Sequence, residues 1–165
     1  MTVSGRVIKF GDNIDTDVII PAKHLVLLDP NELARHAMEG LDPRFYEKAR
    51  SGIILAAGKN FGCGSSREQA PIALKYAGVK CVIAESFARI FYRNAINIGL
   101  PVVECENVSG RIAEGDELIV DLENGFVKNL TKNTTFQVTK LPPFIMQILQ
   151  DGSLIENLRR RLCIR

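Results

Sequence analysis

Apolar residues fall along this chain in runs of two kinds, and each kind predicts a different element. Ile53-Ile54-Leu55-Ala56-Ala57 is short and uninterrupted, the pattern of a strand covered on both faces of a sheet. Cys81-Val82-Ile83-Ala84 and Pro101-Val102-Val103-Glu104 give two more strands. Val3 to Phe10 gives a first one, with Val3 and Val7 on one face and Ile8 and Phe10 on the other. Helical spacing of Leu33, Ala37 and Met38 predicts a helix from about Asn31 to Glu39, stopped by Gly40, and Asp42-Pro43 opens a shorter piece through Arg50. Further helices are predicted through Ala70 to Ala77, ended by Gly78, and over Phe87 to Ile98, closed by Gly99. Strand, helix, strand, helix, strand at this spacing argues right-handed crossovers and a small parallel sheet. From Gly110 to Thr139 the pattern becomes antiparallel hairpins, with Glu117 to Leu122 as a strand and Glu123-Asn124-Gly125 as a turn. Pro142 to Gln150 and Ser153 to Leu162 read as two helices split by Asp151-Gly152. The expectation is one α/β domain over residues 1–165 with a β-rich half and no repeat or linker.

The chemistry is expected where the strand at 53–57 gives way to Gly58-Lys59-Asn60-Phe61-Gly62-Cys63-Gly64-Ser65-Ser66-Arg67-Glu68. Its glycines allow positive φ and close backbone approach. Ser65 and Glu68 stand in the S-x-x-E spacing of a capping box, which predicts that a helix starts there. A helix start after a Gly-rich turn offers free N–H groups and the positive end of the macrodipole to a carboxylate or phosphate. Arg67 adds a donor fork that matches a carboxylate bidentately. Spacing alone leaves a plainer alternative open, in which Ser65 only caps and Arg67 only solvates. The stretch lacks the third glycine of a dinucleotide fingerprint, the Gly-Lys-Ser/Thr of a P-loop and the G-x-S-x-G of a hydrolase elbow.

Two other stretches stand out. Gly11-Asp12-Asn13-Ile14-Asp15-Thr16-Asp17 spaces three aspartates somewhat like a calcium loop, but without its glycine and its bidentate glutamate, so turn and N-cap roles are expected. Lys23-His24-Leu25-Val26-Leu27-Leu28-Asp29 is apolar without strand alternation and lies between Pro21 and Pro30. A connection of that kind with exposed apolar residues has something to bind.

Composition narrows the function classes. A chain of 165 residues, 46% hydrophobic and 24% charged, has enough length for a sizeable core and too little for a second full domain. A net charge of +2 with both signs scattered gives no basic patch for nucleic acid, and Arg159-Arg160-Arg161 is too short and terminal to make one. The start shows no signal segment and no apolar run has the length of a membrane span, so a cytoplasmic chain is expected. Cys63, Cys81, Cys105 and Cys163 form no C-x-x-C pair and are expected as free thiols, mostly buried, with Cys163 exposed and open to adventitious bridging. His24 and His36 are read as too few and too isolated for a zinc or iron centre, so no metal site is expected.

Asp12 to Asp17, Gly58 to Glu68, and Glu85-Ser86-Phe87-Ala88-Arg89-Ile90-Phe91-Tyr92-Arg93-Asn94-Ala95, in that order, resemble the small-subunit family of 3-isopropylmalate dehydratase, also called isopropylmalate isomerase. The likeness runs from about Gly5 to the C-terminal helices. It implies the swivelling β/β/α domain of the aconitase superfamily, made as a separate chain that pairs with a large subunit carrying a 4Fe-4S cluster. No cluster would be bound by this chain, and alone it would be inactive. The implied reaction is a hydro-lyase isomerisation in leucine biosynthesis: 2-isopropylmalate loses water to give 2-isopropylmaleate, and water returns the other way round to give 3-isopropylmalate. A cluster iron in the partner takes the leaving hydroxyl as a Lewis acid.

By the same resemblance Ser65 matches the serine that acts as base toward the substrate carbon, while Ser66 and Arg67 match neighbours that hold substrate carboxylate. Leu25, Val26 and Leu27 fall on the loop that chooses the substrate. Homoaconitase-type sequences carry arginine at the position of Val26 to bind an extra carboxylate, and valine here favours isopropylmalate. Homoaconitase or dual activity stays open, with Lys23 or His24 as partners for a charged substrate. Arg89 and Arg93, four apart on one helix face, are candidates for substrate carboxylate, for the partner or for a structural ion pair. Without the resemblance, the rival reading is a non-catalytic module binding a small anion or a partner protein. Self-association of the isolated chain is also left open.

Overall fold

The computed structural model describes residues 1–163. Its seven strands are β1 (Thr2–Lys9), β2 (Ile53–Ala57), β3 (Val79–Ala84), β4 (Val102–Glu104), β5 (Glu117–Asp121), β6 (Phe126–Asn129) and β7 (Thr134–Gln137). They form a single sheet in the order β4-β3-β2-β1-β5-β6-β7. The expected parallel sheet and the expected hairpins are therefore one continuous structure, and β1 is the seam. On one side it pairs in parallel with β2, Arg6 opposite Ile53 and Lys9 opposite Ala56. On the other it runs antiparallel to β5, Thr2 opposite Asp121 and Arg6 opposite Glu117.

Burial follows that topology. All five residues of β2 are buried, as its uninterrupted apolar sequence requires, because the strand is interior and covered on both faces. β5 alternates buried and more accessible positions, as a half-covered strand does. Between β1 and β2 run α1 (Thr16–Ile19), a 3-10 turn (Ala22–His24), α2 (Pro30–Arg35) and α3 (Phe45–Ala49). α4 (Gln69–Ala77) and α5 (Arg89–Asn97) connect β2 to β3 and β3 to β4. Successive right-handed crossovers that step the same way put their helices on the same face, and α4 does pack on α2 and α5. α6 (Val108–Arg111) precedes β5, and α7 (Pro143–Asp151) with α8 (Leu154–Leu162) closes the described chain.

Differences from the sequence reading have identifiable reasons. The helix expected from Asn31 to Glu39 ends at Arg35, because the fully buried Met38 takes a positive φ of 58° and gives its N–H to Ile19 O at 2.9 Å. The helix expected from Phe87 starts at Arg89, since Ala88 is extended and gives its N–H to Phe61 O. α6 had no apolar period to betray it; Asn107 caps it in the left-handed region, accepting from Gly110 N at 3.2 Å.

Candidate functional site

Three loops leave the carboxyl ends of the neighbouring parallel strands β1, β2 and β3, residues 10–17, 58–68 and 85–88, and they carry the stretches at 12–17 and 58–68 and the start of the one at 85–95, which runs on into α5. The carboxyl end of a parallel sheet is where α/β folds build ligand sites. Here the loops are tied to one another. Gly58 N donates to Gly11 O at 3.1 Å, Asn13 N to Lys59 O at 2.8 Å, Lys59 N to Asp12 Oδ1 at 2.7 Å, and Glu85 N to Gly58 O at 3.0 Å. On the other flank Phe61 N donates to Ser86 O at 3.0 Å and Asn60 N to Ser86 Oγ at 2.8 Å.

Gly62 sits at the centre of this weave with φ 78°, its N–H given to Ile14 O at 2.7 Å. A Cβ there would run into the buried Phe91 ring. Gly62→Ala therefore combines left-handed strain with overpacking and is expected to cost about 3 kcal/mol, lowering the melting temperature by about 6–12 °C in a calorimetric scan.

The chain then turns outward, and here the capping-box expectation is corrected. α4 begins at Gln69 with Glu68 as its N-cap residue and no side-chain cap, so Ser65 lies a full turn before the helix. What holds Ser65 is tertiary. Its carbonyl accepts from the hydroxyl of the buried Thr16 at 3.0 Å and from Arg67 N at 2.9 Å, while Thr16 N donates to Cys63 O at 2.8 Å. Gly64, at φ 88°, lies so close to the Asp15 carboxylate that a Cβ would strike it. With the carbonyl anchored inward, Ser65 and Ser66 are exposed at the rim.

Arg67 is neither a loose surface cation nor a free fork. Its Nη1 is paired with the Asp17 carboxylate and lies 3.4 Å from Ile20 O, and its side chain is largely shielded while Asp17 is half exposed. The aspartates thus do local work: Asp15 caps α1 by accepting from Asp17 N at 2.7 Å, Asp12 fastens the Gly58 turn, and Asp17 orients Arg67.

From Ile20 the chain passes through Pro21 and the 3-10 turn into residues 25–28. Leu25 and Leu27 are half-buried and pack against the core, whereas Val26 is 80% and Leu28 94% exposed. Of the three apolar residues singled out by sequence, Val26 is the one that faces outward.

The histidines, read as isolated, are not. His24 and His36 stack with ring centroids 3.6 Å apart and planes 12° from parallel. Glu39 receives both, His24 Nε2 at 2.7 Å from Oε1 and His36 Nδ1 at 2.8 Å from Oε2, with Lys23 Nζ 3.2 Å from Oε1. Burial by itself would raise the Glu39 carboxyl, but hydrogen bonds from His36, His24 and Lys23 outweigh it and hold the group down at about 2. His24, His36 and Glu39 form the one group of potential metal ligands among the described residues. Imidazole binds metal in its ring plane, and two rings stacked 3.6 Å apart and 12° from parallel share no in-plane point within bonding reach of both, so this arrangement suits hydrogen bonding to a carboxylate better than an ion.

A depressed carboxyl stabilises the fold above its ordinary value and loses that contribution as pH falls through the folded one. Glu39→Gln is therefore expected to cost stability at neutral pH, and the cost should shrink as pH drops from 4.5 toward about 2. Urea unfolding across that range measures it.

The chain as a whole is similar to several known proteins. The aconitase C-terminal domain family matches residues 31–107. The 3-isopropylmalate dehydratase small subunit of Caldicellulosiruptor bescii is 59% identical over 162 residues, covering 98% of this chain and 98% of that protein. The isopropylmalate/citramalate isomerase small subunit of Methanocaldococcus jannaschii is 56% identical over 160 residues, covering 97% of this chain and 95% of that protein. A crystal structure of 3-isopropylmalate dehydratase from Methanocaldococcus jannaschii aligns with a TM-score of 0.93 at 47% identity, covering 99% of this chain and 97% of that one. This chain belongs to the 3-isopropylmalate dehydratase small-subunit family.

In this small-subunit chain Arg89 and Arg93 do share a face, as their spacing requires, and both line a cleft of about 420 Å³ with Phe87, Tyr92, Glu104 and Leu141. Neither makes an ion pair among the described residues. Burial, with Glu104 nearby, pushes the Tyr92 phenol up. The cysteines do not fit an iron–sulfur cluster held by this chain. Cys81 and Cys105 are sealed in the core, where burial raises both thiols; Cys63 is half-buried and Cys163 exposed. Among the described residues no helix is long and apolar enough to cross a membrane.

Proposed function

We propose that this chain supplies one wall of the active site of a 3-isopropylmalate dehydratase, with Ser65 as the base, Ser66 and Arg67 as carboxylate contacts, and Val26 as the side that meets the isopropyl group. The observation that carries the reading is the exposed Ser65, fixed through its carbonyl by Thr16 while its side chain is left at the rim beside the Asp17-oriented Arg67. A large subunit closes that rim and holds the 4Fe-4S cluster, since the cysteines here do not suit one. The reading places the enzyme in the cytoplasm.

The base needs help. A serine hydroxyl loses its proton well above the tyrosine value of about 10, and even at a helix N-terminus the dipole supplies at most about 2 kcal/mol, about 1.5 pKa units. Ser65 precedes the first turn of α4 and receives less. The charge of Arg67 is partly spent on Asp17. Arg67, in a cleft that the partner closes against water, must supply the remainder by favouring charge as it develops, so Ser65 works in the assembled enzyme and not in the isolated chain.

Substrate preference follows from Val26 and from the engagement of its neighbours. Lys23 and His24, the cations nearest the loop in sequence, are both committed to Glu39. With the shielded His24 engaged by Glu39 and only the exposed Lys23 beside it, the loop favours an apolar substituent over homoaconitase-type substrates. Citramalate, named for the Methanocaldococcus jannaschii relative, presents a methyl where isopropylmalate presents three carbons. At about 0.8 kcal/mol per buried carbon the larger group gains about 1.6 kcal/mol, about fifteenfold in kcat/KM.

Reconstitution with a cluster-loaded large subunit tests the reading. The expected result is interconversion of 2- and 3-isopropylmalate with citramalate about an order of magnitude poorer. A stable complex that turns over no diacid would instead favour the binding-module reading.

A further inference from the structure

The Lys23–His24–Glu39–His36 cluster is not used by the proposed chemistry, yet it stands at the root of the loop that carries Val26. His24 is the last residue of the 3-10 turn, and its carbonyl accepts Leu27 N at 3.1 Å, so the turn that displays Val26 hangs from His24. Its imidazole is in turn held at 2.7 Å by Glu39. Glu39 follows Met38, whose side chain is fully buried and whose N–H is fixed by Ile19 O. The second Glu39 oxygen is taken by His36, whose ring stacks on that of His24 and blocks its rotation. The chain of contacts runs unbroken from the core to the base of the loop, while Val26 and Leu28 beyond it are nearly free of the fold.

We infer that Glu39 is a positioning residue for substrate choice: by holding His24 against His36 it fixes where Val26 stands, without touching substrate. The inference rests on the reading of residues 25–27 as the substrate-choosing loop. A mobile Val26 would still allow the reaction, but would enclose the isopropyl group poorly.

Two measurements separate the inference from the reading beneath it. In the reconstituted enzyme, Glu39→Ala is expected to raise KM for 2-isopropylmalate about tenfold with kcat within a factor of two, and to narrow the isopropylmalate-over-citramalate ratio. Glu39→Gln, which retains an acceptor for one ring and no charge, should recover part of both effects. In the free chain, Glu39→Ala should speed amide hydrogen exchange at residues 24–28 while leaving β2 and β3 protected. Unchanged exchange at 24–28 overturns the inference by itself, because the clamp then holds nothing. Faster exchange with unchanged KM and unchanged substrate ratio overturns it through the loop reading, and Val26→Arg would then also leave the ratio unmoved.

Discussion

Ser65→Ala in the assembled enzyme is expected to lower kcat by about a thousandfold, within the range that a positioned general base contributes, and to leave KM and subunit affinity near the wild-type values. The substitution removes one exposed hydroxyl. The contacts that shape the loop pass through the Ser65 carbonyl and the backbone of Cys63, which alanine leaves intact. A fall in turnover therefore reports chemistry and not collapse, and an unchanged circular dichroism spectrum and melting point should accompany it. Near-normal turnover in a well-formed complex would remove Ser65 from the reaction and leave the loop as an anion-binding or docking surface.

The second large effect concerns choice and not rate. Val26→Arg is expected to shift the ratio of specificity constants toward homocitrate-type substrates by about a hundredfold or more. Two changes act in the same direction. Burial of the isopropyl group, up to about 2.4 kcal/mol at about 0.8 per carbon, is diminished, and a guanidinium fork is offered to a carboxylate that otherwise has no partner. At 80% exposure Val26 can be replaced without disturbing the core, so stability should hold. An unchanged ratio would show that residues 25–27 do not choose the substrate.

How far these residues were legible in the sequence depends on how far apart their partners lie. The buried strands announced themselves, because a strand covered on both faces must be apolar throughout, and β2 is bounded as its sequence suggests. The joining of the hairpins to the parallel sheet was not legible, since β1 and β5 alternate in a way that fits either edge of a sheet. The S-x-x-E spacing misled for a physical reason. Thr16 and the positive-φ Gly64 hold Ser65 out of the helix, and both act through the segment at 15–17, which no local spacing reveals. Arg67 and Asp17 are 50 residues apart, and their pairing changes what Arg67 has left to offer a substrate. The histidine cluster was hidden in the same way: His36 and Glu39 are three apart, but His24 reaches them by a bend of the chain at Pro21 to Pro30.

The central claim is that this chain is half of a catalytic cleft, with the wall bearing Ser65 open until a second subunit covers it. Ultraviolet absorbance of the alkene intermediate, followed while this chain is titrated into a fixed amount of cluster-loaded large subunit with 2-isopropylmalate present, tests that claim most directly. Absorbance should appear only when both chains are present and should saturate with the complex. Equal turnover by either chain alone, or a saturated complex with an intact cluster and no alkene, would contradict it.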